Sequence, residues 1–157
     1  MIDGWINNFT KLKYHHGDYV LVPDEEATIE DVYDKIEVVR GLFIWAFPNS
    51  QVAVATIAPV NIFTYNEERN ASEETLKAQT QKIIDDLQNL NHNIRVRNDE
   101  CGVKTPYFHS NCIVKKNGRW RPIPAALVDG LHPSEYTEKT WMHRLHQCVD
   151  MASIVST

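Results

Sequence analysis

The sequence predicts an α/β fold of three layers, a parallel sheet covered by helices on both faces, and three observations carry that expectation. Short apolar, β-rich runs alternate with longer segments of helical period. The stretches between successive runs are long enough to hold crossover helices. One run bounded by prolines, VAVATIA at 52–58, is small or apolar on both faces, as a strand buried inside such a sheet must be. A chain of 157 residues, 43% hydrophobic and 24% charged, fits a single domain over 1–157 with a core of its own.

Taken in order, DGWINNFTKLKY (3–14) is expected to form a helix with a polar end at His15 and His16, and YVLV (19–22) the first strand. From Thr28 the period lengthens, with Ile29, Val32, Tyr33, Ile36, Val39 and Phe43 at helical spacing. Thr28 offers a capping hydroxyl with Asp31 three residues on, and Pro48 ends the helix. The run 52–58 then supplies the central strand, and 61–71 a polar loop. Ser72 opens a second helix, with Glu73 and Glu74 where carboxylates favour the positive helix end, and Leu76, Ile83, Leu87 and Leu90 on its buried face. NIRVR (93–97) is expected to be the third strand. Residues 98–125, rich in Pro, Gly and Asn, read as a long irregular loop of the kind that often has a function. After the short apolar ALV (126–128), Ser134 starts a last helix with Tyr136, Trp141, Leu145 and Val149 along one side.

Several function classes are disfavoured. The net charge is −5, and no Lys/Arg run exceeds KK or RWR, which leaves no footprint for a polyanion and disfavours direct nucleic-acid binding. No segment approaches the length of a membrane span and no apolar leader is visible, so a cytoplasmic location without membrane attachment is expected. Cys101, Cys112 and Cys148 are odd in number and lack CxxC spacing, which argues against a disulfide framework or a zinc site. His143 and His146, three apart with no completing carboxylate, read as solvated helix-face residues, and no metal or cofactor is expected. The acidic PDEEATIED (23–31) reads as charge near a helix N-terminus. Trp45 and Phe47 at a helix end mark an uncovered surface of the kind that meets a partner.

The segment Val128-Asp-Gly-Leu-His-Pro-Ser134 carries the chemistry worth weighing. A general base needs an imidazole whose far nitrogen is held by an acceptor, and Asp129 and His132 stand three apart with Gly130 allowing a tight path between them. The same residues are good turn chemistry by themselves, Asp129 ending a strand and Ser134 capping a helix, and spacing alone leaves both readings open.

VDGLHPSE, preceded by FPNSQVAVATIAPVN and by a helix ending LQNLNHNIRVRND, resembles the C-terminal two-thirds of the SGNH (GDSL-type) hydrolase family, over residues 18 to about 149. The likeness is nearest to SGNH-like domains of some mobile-element polyproteins, which share Thr105-Pro-Tyr-Phe-His109 and Trp141. The resemblance implies a flavodoxin-like fold, hydrolysis of acyl esters without a cofactor, and Asp129 and His132 as triad acid and base, at the carboxyl edge of the sheet. The sequence departs from the family at two blocks. No Gly-Asp-Ser occurs, so the nucleophile is missing, and Val22-Pro-Asp-Glu-Glu26 stands where an oxyanion-stabilising Asn is expected. Ser110 beside His109 is the remaining candidate nucleophile. The expectation is an incomplete or inactive ester hydrolase, a fragment or a derivative without its first strand, with a non-catalytic binding or assembly module as the alternative. Its bare sheet edge at 19–22 or the 43–47 aromatics would then pair with a second copy or a partner segment.

Overall fold

The computed structural model describes residues 9–15, 17–67 and 73–155. It opens with an antiparallel hairpin of β1 (Thr10–His15) and β2 (Asp18–Pro23), in register from Thr10 opposite Pro23 to His15 opposite Asp18. Residues 10–14 are therefore strand and not the expected helix. Leu12 and Tyr14 lie two apart on the exposed side, a strand period, and Tyr14 meets Tyr19 across the pair with ring centroids 5.4 Å apart. His16 and residues 3–8 of the expected helix lie outside the described residues. Val20 and Leu21 are buried, and Lys11 pairs with Asp24 at 2.8 Å.

The first described helix, α1 (Ile29–Ala46), starts as the sequence predicts. The Asp31 N–H donates to Thr28 Oγ1 at 3.0 Å, and the Thr28 hydroxyl donates back to Asp31 Oδ2 at 2.7 Å. Val32, Ile36 and Arg40 form its buried row at four-residue spacing. Beyond them the apolar stripe faces out: Val38, Leu42, Phe43, Ile44 and Phe47 are exposed, and Trp45 is 82% exposed. Arg40 reaches Val52 O at 3.3 Å and Glu37 at 3.1 Å, and Glu37 also meets Arg97 at 3.2 Å.

Residues 51–60 run extended but belong to no sheet. The short helix α2 (Ile62–Asn66) follows, inside the expected 61–71 loop, and then α3 (Glu73–Glu100), 28 residues long. The expected strand at 93–97 is thus the last part of α3, because Ile94 continues the buried row Ile83, Leu87, Leu90 at helical spacing. Two asparagines on that helix take the place of a neighbouring strand. Asn91 accepts the Ile57 N–H at 2.7 Å and donates to Ile57 O at 2.9 Å; Asn98 does the same for Val54 at 3.1 and 2.7 Å. Asn66 likewise holds both backbone groups of Leu21, at 2.9 and 2.6 Å. Buried amide groups must be paired, and here carboxamides pair them.

After α3 the chain turns back along 103–108. Asn98 bridges Val54 and Thr105, while Thr56 N donates to Pro106 O at 3.0 Å and Phe108 N to Thr56 Oγ1 at 2.8 Å, so both extended segments run the same way. This is a segment-helix-segment path in which neither flanking segment is a strand. The structure is mixed α/β, but its sheets among the described residues are two antiparallel pairs, and the expected parallel sheet is not formed. The physical reason lies in residues 54 and 57, whose backbone groups are taken by the two α3 asparagines, which leaves Thr56 N to Pro106 O as the single direct backbone bond between the two segments among the described residues.

The expected irregular loop 98–125 holds the second pair, β3 (Ile113–Lys116) and β4 (Arg119–Pro122), joined by Asn117 and Gly118 at φ 52° and 77°. Both values suit a two-residue hairpin turn. ALV at 126–128 contributes a single bridge, Leu127 to Pro133, and no strand. The last helix, α4 (Glu135–Val155), is capped by Ser134. Of its described side chains only Thr137 and Trp141 are buried; Tyr136 and Val149 of the expected apolar side are exposed. Trp141 stacks on Phe108 with ring centroids 4.9 Å apart and donates from Nε1 to Phe108 O at 2.9 Å. One core cluster joins α1, α3 and 57–62; a second, around Phe108, Cys112, Leu127 and Trp141, underlies the turn at 128–134.

Candidate functional site

That turn is closed by backbone bonds from Val128 N to His132 O at 2.7 Å and from Ser134 N to Ala126 O at 2.9 Å. Inside it, Asp129 Oδ1 accepts the N–H groups of Leu131 and His132 at 3.0 and 2.8 Å, and Oδ2 meets His132 Nδ1 at 2.8 Å. The same carboxylate therefore builds the turn and orients the ring. Partial burial alone would raise the Asp129 carboxyl, but the His132 backbone N–H, the His132 ring and the Leu131 N–H outweigh it and hold the group at about 2.

An ionised carboxylate only accepts, so Nδ1 carries the hydrogen and Nε2 is the nitrogen that would take a proton. Nitrogen NMR at neutral pH should show that tautomer for His132, and Asp129→Asn should abolish the preference; an unchanged tautomer ratio would count against the pairing. Because the folded value of Asp129 lies below an unfolded value of about 3.9, its stabilising contribution is present above pH ~4 and fades as pH falls towards 2. The ring and turn resonances of His132 should follow that window.

The turn is fixed to the end of the extended segment. Asn61 N donates to Gly130 O at 2.8 Å, and Gly130, at φ 86°, lies directly against Asn61 and Tyr65. Asn61 itself caps α2, accepting Thr64 N at 3.2 Å and donating to Thr64 Oγ1 at 2.6 Å. Asn61 is not among the sequence-predicted site residues, and 22–26, where a carboxamide is expected, holds Asp24 paired with Lys11. The signal for it is Pro59-Val-Asn61 directly after an apolar run, a strand end followed by a helix cap.

Ser110 sits at the end of 103–108, in a short turn over 109–111. Its hydroxyl accepts from Arg144 at 2.5 Å and donates to Tyr107 O at 3.4 Å, and neither partner is a base suited to activating it. Neighbouring His109 is buried and held neutral, with its value lowered to about 4 by burial and then by Arg95 and Arg144. The structure brings Asp129 and His132 together but leaves Ser110 engaged elsewhere. His143 bonds Gln147 at 2.9 Å, and no group of three His, Cys, Asp or Glu side chains suited to a metal occurs among the described residues. Cys101, Cys112 and Cys148 are free thiols, and no described helix is long and apolar enough to cross a membrane.

The chain is mixed α/β among the described residues, and what it shares with a known protein is a likeness of fold. Among solved structures it matches a Streptococcus pneumonia protein, provisionally described as a platelet activating factor, with a TM-score of 0.51 and 17% identity. The match covers 76% of this chain and 50% of that one, so the chain spans about half the length of the protein it matches. Identity at this level is a likeness of fold. No family model matches the sequence, and no curated protein does.

Proposed function

We propose that this chain is the acid-and-base part of an SGNH-type acyl-ester hydrolase domain, Asp129 orienting His132 as general base, without a nucleophile of its own. The observation that carries the reading is the 2.8 Å contact between Asp129 Oδ2 and His132 Nδ1, made by a carboxylate that its turn keeps ionised. The distant likeness of fold supports it. Triad groups act as a unit, so the pair without a serine contributes little to turnover. Hydrolysis of short p-nitrophenyl esters by this chain is therefore expected at the level of the buffer, unchanged by His132→Ala. A rate abolished by His132→Ala would show a nucleophile within the chain, and Ser110→Ala would then be the first variant to test.

The second reading, a non-catalytic assembly module, is favoured by the aromatic end of α1. Phe43 and Phe47 stack with ring centroids 6.5 Å apart, and Trp45 between them in sequence is 82% exposed; exposed apolar groups of this kind meet partners. Sedimentation should show concentration-dependent self-association of the chain that Trp45→Asp reduces. A monomer persisting at tens of micromolar, about the range of weak interfaces, would remove this reading.

A further inference from the structure

We propose that the open trough between α3 and the β3–β4 hairpin binds single-stranded nucleic acid, with backbone phosphates on the hairpin cations and a base against Trp120. The inference stands apart from the hydrolase reading. In the sequence the basic residues are two short runs, Lys115-Lys116 and Arg119-Trp-Arg121, separated by a turn. The hairpin register sets them against one another: Lys116 faces Arg119, Lys115 faces Trp120 and Val114 faces Arg121. Cross-strand partners share a face, so Lys116, Arg119 and Arg121 crowd together on one side, exposed and with no carboxylate partner among the described residues. Like charges placed directly opposite destabilise a hairpin by themselves, and an anion bound there relieves them.

The hairpin borders a trough of 1240 Å³ that also has Phe63 and the α3 side chains Lys77 and Lys82 on its walls. Arg119, Trp120 and Arg121 all line it; Trp120 and Lys115 lie on the opposite face of the hairpin from Lys116, Arg119 and Arg121, so the ring and the arginines flank the β4 edge from its two sides. Its carboxylates are already engaged, Asp86 with Lys82 at 2.8 Å and Asp85 with the Gln81 amide at 2.9 Å. Cations beside aromatic rings, Lys115 over Trp120 at 5.6 Å and Lys77 over Phe63 at 5.4 Å, are the combination that holds single strands by phosphate contact and stacking. The overall charge of −5 makes this a local site within an acidic chain.

The test is fluorescence anisotropy of the full chain with a labelled oligothymidylate of about ten nucleotides, titrated at low and moderate salt. Saturable, salt-sensitive binding is expected. Arg119→Glu together with Arg121→Glu should weaken it by at least about tenfold and flatten the salt dependence, and Trp120→Ala should weaken it by about fivefold or more. Lys13→Glu, on β1, should do neither. The proposal is overturned by an absence of saturable binding, or by a loss in the arginine double variant no larger than in Lys13→Glu. Wild-type affinity in Trp120→Ala would overturn it in favour of a bare polyanion surface. Displacement by poly-glutamate as effective as by unlabelled oligonucleotide would overturn it in favour of an acidic protein partner. The arginine side chains are exposed, so the double variant keeps the test valid if Trp120→Ala disturbs the hairpin.

Discussion

Gly130→Ala is expected to destabilise the protein by about 3 kcal/mol and to dismantle the Asp129–His132 turn. Two causes add. At φ 86° an L side chain is strained, and the new Cβ would overlap Asn61 O while lying 2.9 Å from Tyr65 N. Those are backbone atoms of the α2 cap and of α2 itself, which cannot turn aside as a flexible side chain would. Gly118 provides the comparison: at φ 77°, with nothing within 4 Å of the place a methyl group would take, it should lose only about 1 kcal/mol as alanine. Urea midpoints of the two variants, with the His132 ring resonances as a local reporter, check the difference. Equal losses would mean that the close approach of Gly130 to Asn61 does not hold the site.

Asn91→Ala should be about as damaging, with a loss of roughly 3 kcal/mol, because it strips partners from both the N–H and the C=O of Ile57 in the core. Ile57 is 4% exposed and Asn91 1%, so water cannot replace the carboxamide without opening the structure. Asn91→Asp should fare no better. Its carboxylate would still accept the Ile57 N–H but would face the Ile57 carbonyl oxygen and carry a buried charge. Asn98→Ala should cost less, since Val54 is only half-buried. Equilibrium unfolding and the exchange rate of the Ile57 amide measure both; a loss below about 1 kcal/mol for Asn91→Ala would show that the clamp is not needed.

The parts of the molecule legible in the sequence are those decided by near neighbours. Thr28 and Asp31 cap α1 as expected, and Asp129 and His132 meet at a distance that their three-residue spacing allows. The parts that differ are decided at a distance or by a period that misleads. Ile94-Arg-Val-Arg97 alternates like a strand, yet Ile94 extends the row of Ile83, Leu87 and Leu90, and burial of that row overrides local β preference. Lys11-Leu-Lys-Tyr14 alternates too, and there the period of two is the true one, against the helix expected from the longer segment around it. The hairpin at 113–122 carries its own signal, Asn117-Gly118 between short β-prone runs, which the surrounding Pro and Gly content obscures. The missing parallel ladder has no local signal, because it depends on where Asn91 and Asn98 point from a helix tens of residues downstream of 54 and 57.

Those two asparagines also act as a ruler. Seven residues of helix advance about 10.5 Å, and three residues of extended chain advance about 10 Å. A helix lying antiparallel to the extended segment can thus grip residue 57 from position 91 and residue 54 from position 98 with hardly any mismatch in length. A slip of one residue would move the backbone by about 3.4 Å and turn every side chain to the other face. Both carboxamides would miss at once, and Thr56 would lose Pro106 and Phe108 with them. The seven-residue interval on α3 therefore fixes the alignment of the chain leading to Asn61, and through the Asn61–Gly130 bond it sets the height at which His132 stands.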